Sequence, residues 1–164
     1  MKHFTVLLLC ALICLSCLGC DISDGSSVNF YYYRNPDEYQ YFEESGAIQT
    51  EARDLLGHLD DLRYMVGLYM AGPMDENLLV PFSKSTKLIT AQQNGSRVYI
   101  ELSDHTNALT DSEFTLACTA LTLTCMDFTE CSDVTITSGY RTMTLNTDNI
   151  ILTDTLPQQE SSGG

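Results

Sequence analysis

The sequence predicts one α+β domain, and three local patterns carry the prediction. Thr110-Asp111-Ser112-Glu113 is a capping box ahead of an apolar stripe, the signature of a helix start. Asn94-Gly95 stands between two runs that alternate apolar and polar residues, a strong short-range signal for a β-hairpin. Leu59, Leu62, Met65, Val66 and Tyr69 recur at helical spacing, and Gly72-Pro73 closes that run.

The N-terminal segment is read as separate from this domain. Met1-Lys2-His3 is a basic start, Phe4 to Leu18 is almost wholly apolar, and Leu18-Gly19-Cys20 ends the run where a polar stretch begins. Residues 1–19 are therefore expected to be a signal peptide. Cys20 after Leu-Gly has the pattern of a bacterial lipoprotein acceptor, which would make it the mature N-terminus carrying a diacylglycerol thioether. Such signals prefer Leu three residues earlier, where this chain has Cys17. Cys14 and Cys17 compete on local pattern, and an ordinary secretory signal cut nearby is the alternative. The apolar run of about fifteen residues is short against the ~20 needed to span a bilayer. Residues 20–27 read as a polar tether, residues 28–153 as the domain and residues 154–164 as a disordered tail with nothing to bury.

Within the domain, Val28 to Arg34 reads as a strand with Val28, Phe30 and Tyr32 on one face, ended by Asn35-Pro36. Ala47 to Arg53 alternates weakly. It is either an edge strand or the start of a long helix from Gln49 to Ala71, and Gly57-His58 favours a break. Asp60 and Asp61 sit at the start of the first clear helix, where its dipole favours acids. Met74 to Phe82 is expected to include a helical turn at Leu78-Leu79-Val80-Pro81. Thr86 to Gln92 and Arg97 to Leu102 form the hairpin, with Asn94-Gly95 as a type I′ turn and Val98, Ile100 and Leu102 inward. The second helix runs to about Phe128 with Phe114, Ala117, Cys118, Leu121, Cys125 and Phe128 along one stripe. Asp133 to Thr137 and Arg141 to Leu145 are further strands turned at Ser138-Gly139, and Ile150-Ile151-Leu152 is a candidate last strand.

Composition narrows the partners. With 22 acidic and 8 basic residues the net charge is −14, which repels nucleic acid and anionic headgroups, so neither is an expected partner. Membrane attachment would then fall to the lipid, since two acyl chains hold where one barely does. Of seven cysteines, Cys118, Cys125 and Cys131 lie in the domain. Cys118 and Cys125 are about 10 Å apart on a helix, beyond disulfide reach, and read as small core residues. Cys125 with Cys131 is left open, and no spacing suggests zinc or another cofactor.

No motif for a phosphate loop, dinucleotide fold, nucleophile turn or metalloprotease helix is present, so no catalytic or metal residue is assigned. His58 beside Asp60 and Asp61, and His105 beside Asp104, read as exposed turn histidines rather than an acid–base pair. Tyr31, Tyr33, Tyr39 and Tyr41 form an aromatic concentration. It reads either as a binding face or as a strand covered by its own loop.

The pieces from Phe30 to about Leu152 resemble the GerMN domain of sporulation and spore-germination lipoproteins in Gram-positive bacteria. Those pieces are Val28-Asn29-Phe30-Tyr31-Tyr32, Ala71-Gly72-Pro73, Val80-Pro81-Phe82 leading to Thr86-Lys87-Leu88-Ile89, the Asn94-Gly95 hairpin, Val98 to Ser103, the helix from Phe114 to Cys125, and Val134-Thr135-Ile136. The resemblance implies two helices packed on a mixed, mostly antiparallel sheet, similar to the ring-building domains of envelope assemblies. It also implies a non-enzymatic module and supplies no catalytic residues. A known member carries two such domains and this chain has room for one, so ring formation and a germination role do not transfer automatically.

The expectation is thus a lipid-anchored protein on the extracytoplasmic face of the membrane, with Cys20 as lipid acceptor and Tyr31, Tyr33 and Tyr99 as partner-binding residues. Expected partners are envelope proteins, self-association included. A cell-wall glycan module using the same aromatics is the alternative, and an unrecognised hydrolase the third reading.

Overall fold

A computed structural model of the protein describes residues 27–34 and 48–150. The signal peptide, Cys20, the tether up to Ser26, Tyr39, Tyr41, Ile151-Leu152 and the tail lie outside the described residues. The strands are β1 (Ser27–Arg34), β2 (Ile48–Asp54), β3 (Leu78–Leu79), β4 (Leu88–Asn94), β5 (Arg97–Leu102), β6 (Asp133–Ser138) and β7 (Arg141–Asn146). The helices are α1 (Leu62–Ala71) and α2 (Asp111–Phe128), and a short 3₁₀ helix spans Asp104–Ala108. The α+β class is as expected, with the strands divided into two sheets, β2-β1-β3 and β4-β5-β6-β7. All pairings are antiparallel except β5 with β6, which the crossover through α2 makes parallel.

The inward faces follow from alternation. Val28, Phe30 and Tyr32 are buried on β1, Val98, Ile100 and Leu102 on β5, and Val134 and Ile136 on β6. They join Met65, Val66 and Tyr69 of α1 and Phe114, Ala117, Cys118, Leu121 and Cys125 of α2 in one core. Phe30, Tyr32 and Tyr69 stack, with Tyr32 and Tyr69 centroids 4.9 Å apart. The capping box at Thr110 forms as written. Its backbone N–H donates to Glu113 at 2.7 Å, and its hydroxyl accepts from the Glu113 N–H at 3.3 Å.

One alternative is settled in favour of the edge strand, and three expectations change. Ile48–Asp54 is a strand paired along β1, which excludes a helix from Gln49; Leu56 (φ 51) and Gly57 (φ 87) turn the chain away from it. Leu59 precedes α1 and is exposed, because Asp61 is the N-cap and accepts from the Tyr64 N–H at 2.9 Å. The expected helical turn is instead β3, whose Leu78 and Leu79 pair with Arg34 and Tyr33. In the hairpin, Asn94 pairs with Arg97, leaving Gly95-Ser96 as the loop. Gly95 has φ 58 and Ser96 is not left-handed, the glycine-first pattern of type II′ rather than I′.

One edge of β1 is shared between a strand and a helix. Tyr33 and Arg34 pair with β3, whereas the Asn29 and Tyr31 N–H groups donate to Asp127 (2.7 Å) and Thr124 (3.0 Å) of α2. Side chains of α2 thus close the ladder that no strand completes.

On β2, Glu51 and Arg53 face inward although charged. Arg53 bonds Glu51, donates to the Gly72 carbonyl at 2.6 Å, and lies over Phe30 (5.5 Å) and Tyr32 (5.8 Å). The Glu51 carboxylate also accepts from the Met74 and Asp75 N–H groups at 2.9 and 2.8 Å. Arg53→Ala is expected to cost about 3–5 kcal/mol, because it leaves the Glu51 carboxylate without its counter-charge and the Gly72 carbonyl without its donor. Glu51→Gln should cost less, its amide oxygen still accepting from the Met74–Asp75 turn. Urea unfolding of both variants measures this; equal and negligible losses would show that the pair does not hold β2 to α1.

Candidate recognition surface

The three tyrosines named from the sequence do not share a face. Tyr31 and Tyr33 point away from the Phe30–Tyr32 side of β1, as alternation requires, but α2 runs along that side. Burial, then the Asp127 charge, pushes the Tyr31 phenol up. The Tyr33 hydroxyl is buried and accepts no protein hydrogen bond, and burial raises its phenol with help from Cys118 and Glu113 of α2. Tyr33 therefore serves the packing of β1 on α2 rather than an open binding face. Tyr99 differs. It is 43% exposed on the outer side of the four-stranded sheet, whose inner side faces the core.

Around Tyr99 the strand register sets rows of short polar side chains. Gln92, Tyr99, Thr135 and Thr144 lie across one row, and Thr90, Glu101, Thr137 and Thr142 across the next. Thr135 and Thr144 hydroxyls are 2.9 Å apart and Thr137 and Thr142 hydroxyls 3.3 Å apart. A shallow groove of about 220 Å³ runs beside Tyr99 between β4, β5 and β6.

Two further features escaped the sequence reading. Tyr140 is 83% exposed in the turn after Gly139 (φ 59). The turn is fixed from behind, because Arg141 donates to the carbonyls of Thr106 (3.1 Å) and Leu109 (2.9 Å) and to Asp111 (3.1 Å), with its guanidinium 3.9 Å from the Phe114 ring centre. The second feature is the outer edge of β7, the last strand of its sheet, which has no strand partner among the described residues. Glycine-turn grammar marked the turn but not the aromatic beside it.

Other candidate groups have local partners. His58 stacks on Tyr64 at 4.0 Å and lies 4.0 Å from Asp61. His105 sits 3.0 Å from the Ser103 hydroxyl and 3.7 Å from Asp104. Cys118, Cys125 and Cys131 are buried free thiols in the core, the role expected for the first two; Cys125 and Cys131 are not joined. Among the described residues no group of three or more His, Cys, Asp or Glu side chains is placed to hold a metal ion, and no helix is long and apolar enough to cross a membrane.

This is an α+β domain in which, among the described residues, one sheet face is left uncovered by the helices. No protein-family model matches the chain, and no curated protein matches it. Among solved structures it is similar to a Clostridium perfringens protein described as a lipoprotein, at 12% identity and TM-score 0.47, over 74% of this chain and 87% of that one. It is also similar to the tandem GerMN domains of the sporulation protein GerM from Bacillus subtilis, at 18% identity and TM-score 0.46, over 75% of this chain. This chain spans 43% of that tandem structure.

The buried acids of the core predict alkaline instability. Burial pushes the Cys118 thiol up to about 12, against a lowering by Arg141, and raises Cys125 and Tyr69 as well. An unfolded thiol loses its proton near ~8.5, so above that pH the unfolded chain binds fewer protons than the folded one. Stability is therefore complete below ~8.5 and falls as pH rises toward about 12, by up to ~1.4 kcal/mol per pH unit per thiol. Urea midpoints should drop between about pH 8 and about pH 10, less steeply in Cys118→Ala. Parallel curves for the two proteins would contradict the assignment.

Proposed function

We propose that the chain is a non-enzymatic lipoprotein of the bacterial envelope whose single GerMN-like domain binds a protein partner. The quoted pieces of sequence support the domain type, since they occupy β1, the exit of α1, the β4–β5 hairpin, α2 and β6. The signal sequence and Cys20 support a lipid anchor on the extracytoplasmic face, and the resemblance supports a Gram-positive host and a role in sporulation.

The observation that carries the binding role is the outer edge of β7, which pairs with no strand among the described residues. Ser138 and Arg141 close a two-residue turn, so pairs alternate along the hairpin and the Thr142 and Thr144 backbone groups point away from β6. An extended partner segment adding there gains main-chain hydrogen bonds, with Tyr140 as an aromatic anchor at the tip. The same edge accommodates self-association.

Photocrosslinking from position 140 in native cells, followed by identification of the trapped protein, tests this. Thr144→Pro removes an outward N–H and the Thr135 hydroxyl contact while leaving the backbone ladder to β6 intact. Together with Tyr140→Ala it should lower the trapped yield from a neighbouring position at least about tenfold. An unchanged yield would sink this choice of surface. Separately, Cys20→Ala should abolish both membrane retention and the diacylglycerol mass; equal retention would refute the anchor.

A further inference from the structure

The outer face of the four-stranded sheet has a chemistry of its own, distinct from the β7 edge. In a chain of net charge −14, the strands place three charged residues there, Arg97, Glu101 and Asp133. Arg97 and Asp133 are 3.9 Å apart and offset each other, leaving Glu101. What remains is hydroxyl, amide and one exposed phenol ring. Each threonine hydroxyl has one donor and two acceptor sites, so the Thr135–Thr144 and Thr137–Thr142 contacts leave capacity for a ligand.

We propose that this face binds a neutral glycan strand, with Tyr99 as the platform. The ring packs on the C–H face of a pyranose. Thr90, Thr135 and Thr137 with Gln92 and Glu101 then exchange hydrogen bonds with the sugar hydroxyls along the groove. Its volume of about 220 Å³ is below the roughly 300–1,000 Å³ of sites that enclose a small ligand. An extended chain lying across the sheet, one ring at the groove, suits that geometry better than an engulfed molecule. Charge argues against polyanionic polymers, which the whole molecule repels, whereas an uncharged saccharide is not repelled. The proposal extends the envelope reading without using the β7 edge, so each can fail alone.

The test is co-sedimentation of the detergent-extracted full chain with four insoluble matrices: chitin, cellulose, starch, and peptidoglycan stripped of anionic polymers. Retention on chitin and peptidoglycan, released by soluble N-acetylglucosamine oligomers, is the expected result. Retention on cellulose or starch alone would reassign the sugar as a plain hexose while keeping the neutral-glycan class. Tyr99→Ala should weaken retention about tenfold, the order expected for one lost aromatic packing contact, and Tyr99→Phe should keep it. Thr135→Val with Thr137→Val, which preserves strand shape, should weaken it as well, and Leu116→Ala on the far helix should not. The proposal is overturned by no retention on any matrix, by retention unaffected at Tyr99, or by release with stem peptides instead of sugars. The threonines would then be solvated strand residues. Loss of retention with crosslinking from position 140 intact would leave the protein-binding reading standing.

Discussion

The domain depends on a guanidinium placed where the core meets a helix end. Arg53 is 6% exposed on an edge strand, and its burial is tolerable because every side of it is answered. Glu51 supplies the opposite charge, Gly72 a carbonyl, and Phe30 and Tyr32 the faces of their rings. The same carboxylate holds the two N–H groups after the helix, so the exit of α1 is wrapped by two adjacent positions of β2. Gly72, at φ 104, takes the backbone turn that brings these groups together. With α1 fixed against β2, Tyr69 reaches the Phe30–Tyr32 pair, and β1 is presented to α2 with its N–H groups toward Thr124 and Asp127.

Arg141 does the corresponding work at the opposite helix boundary. It collects carbonyls from the 3₁₀ helix and from the approach to α2, pairs with Asp111, and covers Phe114. Ser138 adds a bond to the Ser103 carbonyl at 2.6 Å and receives one from Thr106 at 2.7 Å. Two of the 8 basic residues are thus committed to closing backbone groups, where a planar fork outperforms a lysine. The consequence reaches the surface: a chain already short of basic residues spends two inside, and its exterior is more acidic than composition alone indicates.

What was legible in the sequence was whatever is decided within one element. The capping box, the alternation of β5 and the α2 stripe depend on neighbours two to four residues away, and all three formed as read. Contacts between distant segments were not legible. Gln49-Thr50-Glu51-Ala52-Arg53 alternates too weakly to announce that its charges face inward, because Arg53 finds its acceptor at Gly72. Leu78-Leu79 became a strand through β1, not through its own propensity. Tyr33 shows the same limit on the surface side. Periodicity assigned it the correct face of β1, but only the placement of α2 reveals that the face is covered. Tyr99 stayed open because, among the described residues, no helix packs on the outer side of its sheet.

The two ends of α2 give the domain a direction. Asn29, close behind the tether, is bonded to Asp127 in the last turn of α2, whereas Arg141, beside Tyr140, is bonded to Asp111 in its first turn. An 18-residue helix is ~27 Å long. The start of β1 therefore lies at one end of that rod, and the Gly139-Tyr140 turn lies at the other. The exposed Tyr140 is thus set apart from the start of β1 along α2, with its turn at the N-terminal end of the helix. The two contacts at opposite ends of one helix tie the first strand and the last hairpin to the same rod, so the ends of the domain are spaced by α2 rather than by the loops between.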